Sequence, residues 1–236
     1  MSRASSSVAP NDSWFSGSVP SQVMSLSTVW IRTKSGSGSS ATTERVVGTR
    51  LTGVNGDRNG EVLLTTPRLI LRSWRPDDLP VFAALNADPE VMRYLGHTLT
   101  TEQATQLADD IQTRFLQRGF GMLPVERRDD GVFLGICGIN YTHWYPDEEI
   151  GWRFAKEHWG NGYATESAAA WMAWAFTELG VPRLISVTDL PNQRSIAVMT
   201  RLGMTFDHEA ELEEDGEHFR AVVHSITAQQ WRDRQI

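Results

Sequence analysis

Cysteine is nearly absent from this 236-residue chain: Cys137 stands alone, so no internal disulfide can form and no cysteine cluster can hold a metal. Its neighbours across residues 132–139 are apolar, the setting of a buried and inert strand thiol. Lysine is scarce too, supplying 2 of the 22 basic residues, an arginine bias that fits a GC-rich coding genome. No apolar run approaches the roughly 18 residues a membrane span needs, and no hydrophobic signal core follows the first charges, so a cytoplasmic location without membrane attachment is expected. A dinucleotide fingerprint is also missing, because Thr165 stands where G-x-G-x-x-G requires its third glycine.

What the chain does have is a Ser-rich beginning and an acidic body. Fourteen of the first 40 residues are serine, with glycine and proline interspersed and no sustained period, so residues 1–60 are expected to form a disordered tail. The same acid-poor composition fits an organelle transit peptide, and so does a start codon assigned too far upstream, with Met24 or a position near Val62 as the true beginning. Only Trp14, Phe15 and Trp30 could anchor such a tail. With six basic and three acidic residues the tail carries +3, which leaves residues 61–236 at −10 within a whole-chain charge of −7. That body reads as one domain, and 40% hydrophobic content is ample for its core. Its charge argues against non-specific nucleic-acid binding and suits a cationic partner.

Regular patterning starts at Leu69. Residues 69–74 read as a strand, and Pro76, Asp77 and Asp78 open a helix with proline and acids in its first turn. Residues 101–118 carry Ala104, Leu107, Ala108, Ile111, Phe115 and Leu116 at helical spacing. Residues 121–126, 132–141 and 148–154 read as an antiparallel meander, its first two strands joined by a turn at residues 127–131. A helix follows with Ala164, Ala168, Trp171, Ala175 and Leu179 on one face, stopped by Gly180 and Pro182. Residues 183–189 give a strand, 192–202 a short helix, and 205–212 with 218–226 a hairpin around Asp215 and Gly216. This order predicts an α/β sandwich with a mixed sheet.

Glu149 to Glu166 carries the chemistry most openly, reading as strand, glycine loop and helix start. Gly160 and Gly162 lack a Cβ, so the backbone can curl and aim successive N–H groups at one anion, beside the unpaired donors and positive dipole end of the next helix. A pyrophosphate-bearing cofactor is the expected guest. One strand later, residues 192–206 read as a short helix ending at Gly203. Three segments together, Leu64-Thr-Thr-Pro-Arg-Leu-Ile-Leu-Arg72, Trp159-Gly160-Asn161-Gly162-Tyr163-Ala164-Thr165-Glu166, and Asn192 with Ser195 and Leu202-Gly203, resemble the GNAT superfamily of acyl-CoA-dependent N-acetyltransferases in its RimJ/RimL branch. The resemblance covers roughly residues 64–231.

That resemblance implies a three-layer α/β/α sandwich whose mixed, mostly antiparallel sheet splays between its fourth and fifth strands, here residues 149–154 and 183–189, with the acyl chain in the gap. It implies acetyl-CoA as co-substrate, no metal, and a primary amine as acceptor, either a peptide or protein N-terminus or a small molecule such as a polyamine or an aminoglycoside. Loops at residues 94–100 and 142–147 would flank that acceptor. Cofactor contacts would come from Ile150, Gly151 and Trp152, from Trp159, Gly160, Asn161, Gly162, Tyr163, Ala164 and Thr165, and from Asn192 and Ser195.

An amine attacks a thioester only when neutral, so a base must stand near it and a donor near the departing sulfur. Glu149, at the head of the splayed strand, is the nominated base, directly or through water. Glu148 alternates with it, so one of the pair should face the site and the other solvent, a plain exposed pair being the competing reading. Glu166 sits where a carboxylate usually serves a helix dipole. His97 and His143 read as solvated loop histidines, and Lys156 as a solvated lysine that adds charge near the loop. Many relatives of this type carry a tyrosine seven residues after the residue matching Asn192; Met199 stands there, and Ser195 is the substitute. A second departure is Trp159, in place of Gln or Arg. The missing tyrosine leaves open a non-catalytic acyl-CoA-binding regulatory module, and the aromatic content leaves a homodimer open.

Overall fold

The computed structural model describes residues 60–214 and 216–235; the expected tail and Asp215 of the hairpin turn lie outside them. Eight strands form one sheet in the order β1-β2-β3-β4-β5-β6-β8-β7: β1 (Val62–Thr65), β2 (Leu69–Arg72), β3 (Met122–Arg127), β4 (Phe133–Tyr141), β5 (Glu148–Phe154), β6 (Arg183–Asp189), β7 (Thr205–Glu214) and β8 (Glu217–Thr227). Every neighbouring pair is antiparallel except β5 with β6. The sheet is therefore mixed and mostly antiparallel. Because β1 precedes the first strand expected from the sequence, the two strands expected to splay are the fifth and sixth.

Helices cover both faces. α1 (Asp78–Ala87) and α2 (Thr101–Arg118) share a core of Phe82, Leu85, Leu107 and Ile111 with Phe133 and Ile136 of β4. The opposite core gathers Leu134, Cys137 and Ile139 of β4 with Ile150 and Phe154 of β5, under Ala168, Trp171 and Met172 of α3 (Tyr163–Trp174). Trp171 is wholly buried, and a Trp171→Ala cavity there would cost about 3–5 kcal/mol. Cys137 is equally buried, its thiol pushed up to about 12 by desolvation, which makes it the inert strand thiol expected.

Local chemistry fixes the boundaries. Thr100 accepts from the Gln103 backbone N–H while the Gln103 side chain accepts from Thr100 N–H, and Gly119 closes α2 at a φ of 80°. α3 runs on into one π turn, Ala175–Leu179, before Gly180 ends it. α4 (Gln193–Arg201) follows β6 directly, and α5 (Ala228–Asp233) closes the described chain. Arg72, 2% exposed, binds Asp78 at the start of α1 through both terminal nitrogens and Glu126 of β3 through Nε at 2.7 Å, tying three elements together. No helix among the described residues is long and apolar enough to cross a membrane.

Candidate active site

β5 is laddered to β4 along its whole length, from Tyr141 opposite Glu148 to Gly135 opposite Phe154. Its other edge meets β6 only at Glu148–Leu184 and Glu149–Ile185, whereas β6 pairs with β8 from Arg183 to Asp189. The two parallel strands thus part after Glu149, and Ile150, Gly151 and Trp152 line an edge that no strand covers. Such an edge inside a sheet leaves backbone donors and acceptors for an extended amide-bearing guest. At Gly151 an added Cβ would meet only the end of the Met122 side chain, at 3.7 Å, so the backbone is bare on that face.

At the open end of this wedge, a 3₁₀ turn (Lys156–His158) leads to Trp159, Gly160, Asn161 and Gly162, and then to Tyr163, Ala164 and Thr165 in the first turn of α3. Gly160 and Gly162 hold φ of 77° and 80°, left-handed values that favour glycine, and nothing lies within 4 Å of where a Gly160 Cβ would stand. No side chain caps α3, so its leading N–H groups remain available to an anion. The loop is braced from behind. Trp159 Nε1 donates to Phe154 O at 2.8 Å, and Asn161 Nδ2 donates to the carbonyls of His158 and Trp159.

Arg68, in the turn between β1 and β2, supplies a further brace that sequence reasoning missed. Its Nη1 donates to Asn161 O at 3.0 Å, its Nε donates to Glu166 Oε2 at 2.6 Å, and its guanidinium lies 4.9 Å over the Tyr163 ring. Glu166 Oε1 also accepts from the Arg68 backbone N–H and from Thr66 Oγ1. Burial alone would raise the Glu166 carboxyl; the donors from Thr66 and Arg68 outweigh it and hold the group below its ordinary value. Glu166 is therefore an anchor for the loop. Lys156 is exposed, as expected of a solvated lysine, and pairs at the surface with Glu90 at 2.5 Å.

Glu148 and Glu149 point to opposite faces, and neither is a plain exposed carboxylate. Glu148 accepts from Tyr141 Oη at 3.3 Å on the α3 side, and desolvation raises its carboxyl. Glu149 reaches across the head of the wedge and accepts from Val187 N–H of β6 at 3.3 Å. Its face is that of α1 and α2: Arg153, four residues on, donates to Asn86 Oδ1 of α1. Beyond β6, Asn192 caps α4 by accepting from Ser195 N–H at 3.3 Å while its Nδ2 donates to Thr188 Oγ1. Ser195 is half-buried in the first turn, and Met199, one turn on, is wholly buried. Arg194 stacks 4.5 Å over the Trp159 ring, so the start of α4 and the glycine loop are direct neighbours. His97 and His143 are exposed.

Glu149 therefore marks the closed end of the wedge, the glycine loop its mouth, and the head of α4 its far wall. Comparison with known proteins identifies the family and the fold. Residues 68–205 match the model of the acetyltransferase (GNAT) domain family. The chain is 33% identical to YkkB of Bacillus subtilis (strain 168), over 63% of this chain and 88% of that protein. It is 36% identical to the FsC-acetyl coenzyme A-N(2)-transacetylase of Aspergillus fumigatus, over 62% and 68% of the two chains. The solved structure of RimL, a ribosomal L7/L12 alpha-N-protein acetyltransferase in complex with coenzyme A, superposes with a TM-score of 0.60 at 17% identity, covering 71% of this chain and 98% of that one; at that identity the likeness is one of fold.

Proposed function

The chain belongs to the acetyltransferase (GNAT) domain family, and from that membership we propose that it moves the acetyl group of acetyl-CoA to a primary amine by direct attack in a ternary complex. The observation that carries this reading is the wedge between β5 and β6 with an uncapped glycine loop at its mouth. Bound acetyl-CoA supplies a thioester carbonyl as the electrophile. Backbone N–H groups from Gly160 to Thr165 hold its anionic end, helped by the positive end of α3. The open edge at Ile150, Gly151 and Trp152 receives the amide-bearing arm and offers donors to the carbonyl oxygen. The named substrate of the Aspergillus relative, acetyl coenzyme A with a nitrogen acceptor, supports the same pairing.

Glu149 accepts the proton that the attacking amine must lose, from the face covered by α1 and α2. Asn192 orients the head of α4, where the Ser195 hydroxyl donates toward the departing sulfur, since Met199 has no proton to give. The test uses the full chain, acetyl-CoA and a panel of amines, following thiol release together with CoA affinity by calorimetry. Glu149→Gln should lower kcat by about 10²–10⁴ fold while CoA affinity stays within a factor of about three. A variant with wild-type kcat would remove Glu149 from the mechanism.

A further inference from the structure

A second concavity lies between the C-terminal half of α2 and the ends of β3 and β4. Ile111, Phe120, Met122 and Ile139 give it apolar walls, and its polar groups are Arg114, Arg118 and Asn140. Arg114 Nη1 is buried without a hydrogen-bond partner. Three other arginines at least partly withdrawn from water have carboxylate partners: Arg72 has Asp78 and Glu126, Arg127 has Asp130, and Arg183 has Asp147 and Asp207. Desolvation lowers the Arg114 pKa and the like charge of Arg118 adds to that, with Asp110 offsetting only part. Arg118, one helical turn further, lies 5.0 Å over the Tyr141 ring and has no carboxylate partner among the described residues. The Asn140 amide likewise makes no side-chain hydrogen bond among them.

Two like charges at i and i+4 destabilise a helix, and a buried donor left unmade costs about 1–3 kcal/mol. Both costs are relieved if an anion arrives with the substrate. The place fits that role. Asn140 stands directly opposite Glu149 in the β4–β5 ladder, on the same face and about 5 Å away by ladder geometry.

We propose that Arg114, Arg118 and Asn140 form a carboxylate subsite, and that the acceptor is a primary amine carrying a carboxylate a few bonds from its nitrogen. This rests on Glu149 being the base. The planar guanidinium fork matches a carboxylate, and the apolar walls strengthen the pairing by excluding water. A polyamine or an aminoglycoside would instead bring cations against two arginines.

The test compares acceptors that differ only in carboxylate against carboxamide: glycine, β-alanine and γ-aminobutyrate for free amino acids, and the tripeptides Ser-Asp-Ala and Ser-Asn-Ala, both C-terminally amidated, for peptide N-termini. The full chain should favour at least one carboxylate by about tenfold or more in kcat/KM, and Arg114→Gln should reduce that preference to about threefold or less without changing the KM for acetyl-CoA. Arg118→Gln should shift it the same way. Calorimetric binding of the corresponding N-acetylated acids and amides reads the subsite without turnover. Acid-selective binding lost in Arg114→Gln supports the subsite even if no acceptor is acetylated and the catalytic reading fails; equal binding and equal turnover of acids and amides overturn it.

Discussion

Arg68 and Glu166 lie 98 positions apart and meet at 2.6 Å, so nothing in the local sequence of either could announce the pair. The left-handed glycines, the Asn192 cap and the opposite facing of Glu148 and Glu149 were legible because each is set by close neighbours in the chain. Through-space partners were not: the doublet was open to being read as an exposed carboxylate pair, and Tyr141 and Val187 are what withdraw its two members from water. Arg68→Ala should release Asn161 O and Glu166 together, weakening CoA by about tenfold in a calorimetric titration while leaving the acceptor KM unchanged. Glu148 gives a pH signature. Its folded carboxyl is raised above the ordinary value of about 4.5, so the ionised group costs stability once pH exceeds the folded value, and the cost disappears below the unfolded one. Glu148→Gln should therefore raise Tm by about 1–2 °C near pH 7, a small effect because solvent still reaches the group, and by nothing near pH 4. A larger gain at the lower pH would contradict the sign.

Among elements, α2 and β5 matched their sequence-derived bounds because a capping box, a closing glycine and an alternating apolar run mark their ends. β1 escaped because a four-residue strand beside irregular sequence is too short to show a period, and it is fixed by pairing with β2. α5 is polar and short, legible only through its Thr227 and Gln230 capping box. The π turn after α3 has no sequence signal that periodicity could detect. The Arg72 cluster is the junction on which β2, α1 and β3 depend, and removing its centre leaves Asp78 as an uncompensated buried charge and Glu126 with only its 2.7 Å pair to the more exposed Arg75. Arg72→Ala should cost about 3–5 kcal/mol in urea unfolding, whereas Arg75→Ala, at a 44% exposed side chain, should cost about 1 kcal/mol or less.

At the scale of the molecule, the sheet divides its labour at the β5–β6 parting. One half, β1 to β5, carries α1, α2 and the face that holds Glu149; the other, β6 to β8, carries the head of α4 and the closing hairpin. The mixed sheet, its antiparallel meander and the closing hairpin were legible from the succession of patterns, and the parting followed from family resemblance; that resemblance left the acceptor open. The most direct measurement is amide hydrogen exchange of the full chain with and without saturating CoA. Protection should rise at Ile150 to Phe154 and at Gly160 to Glu166, with the β7–β8 hairpin unchanged. Saturated protein with no added protection along β5 and the glycine loop would contradict the wedge as the cofactor seat.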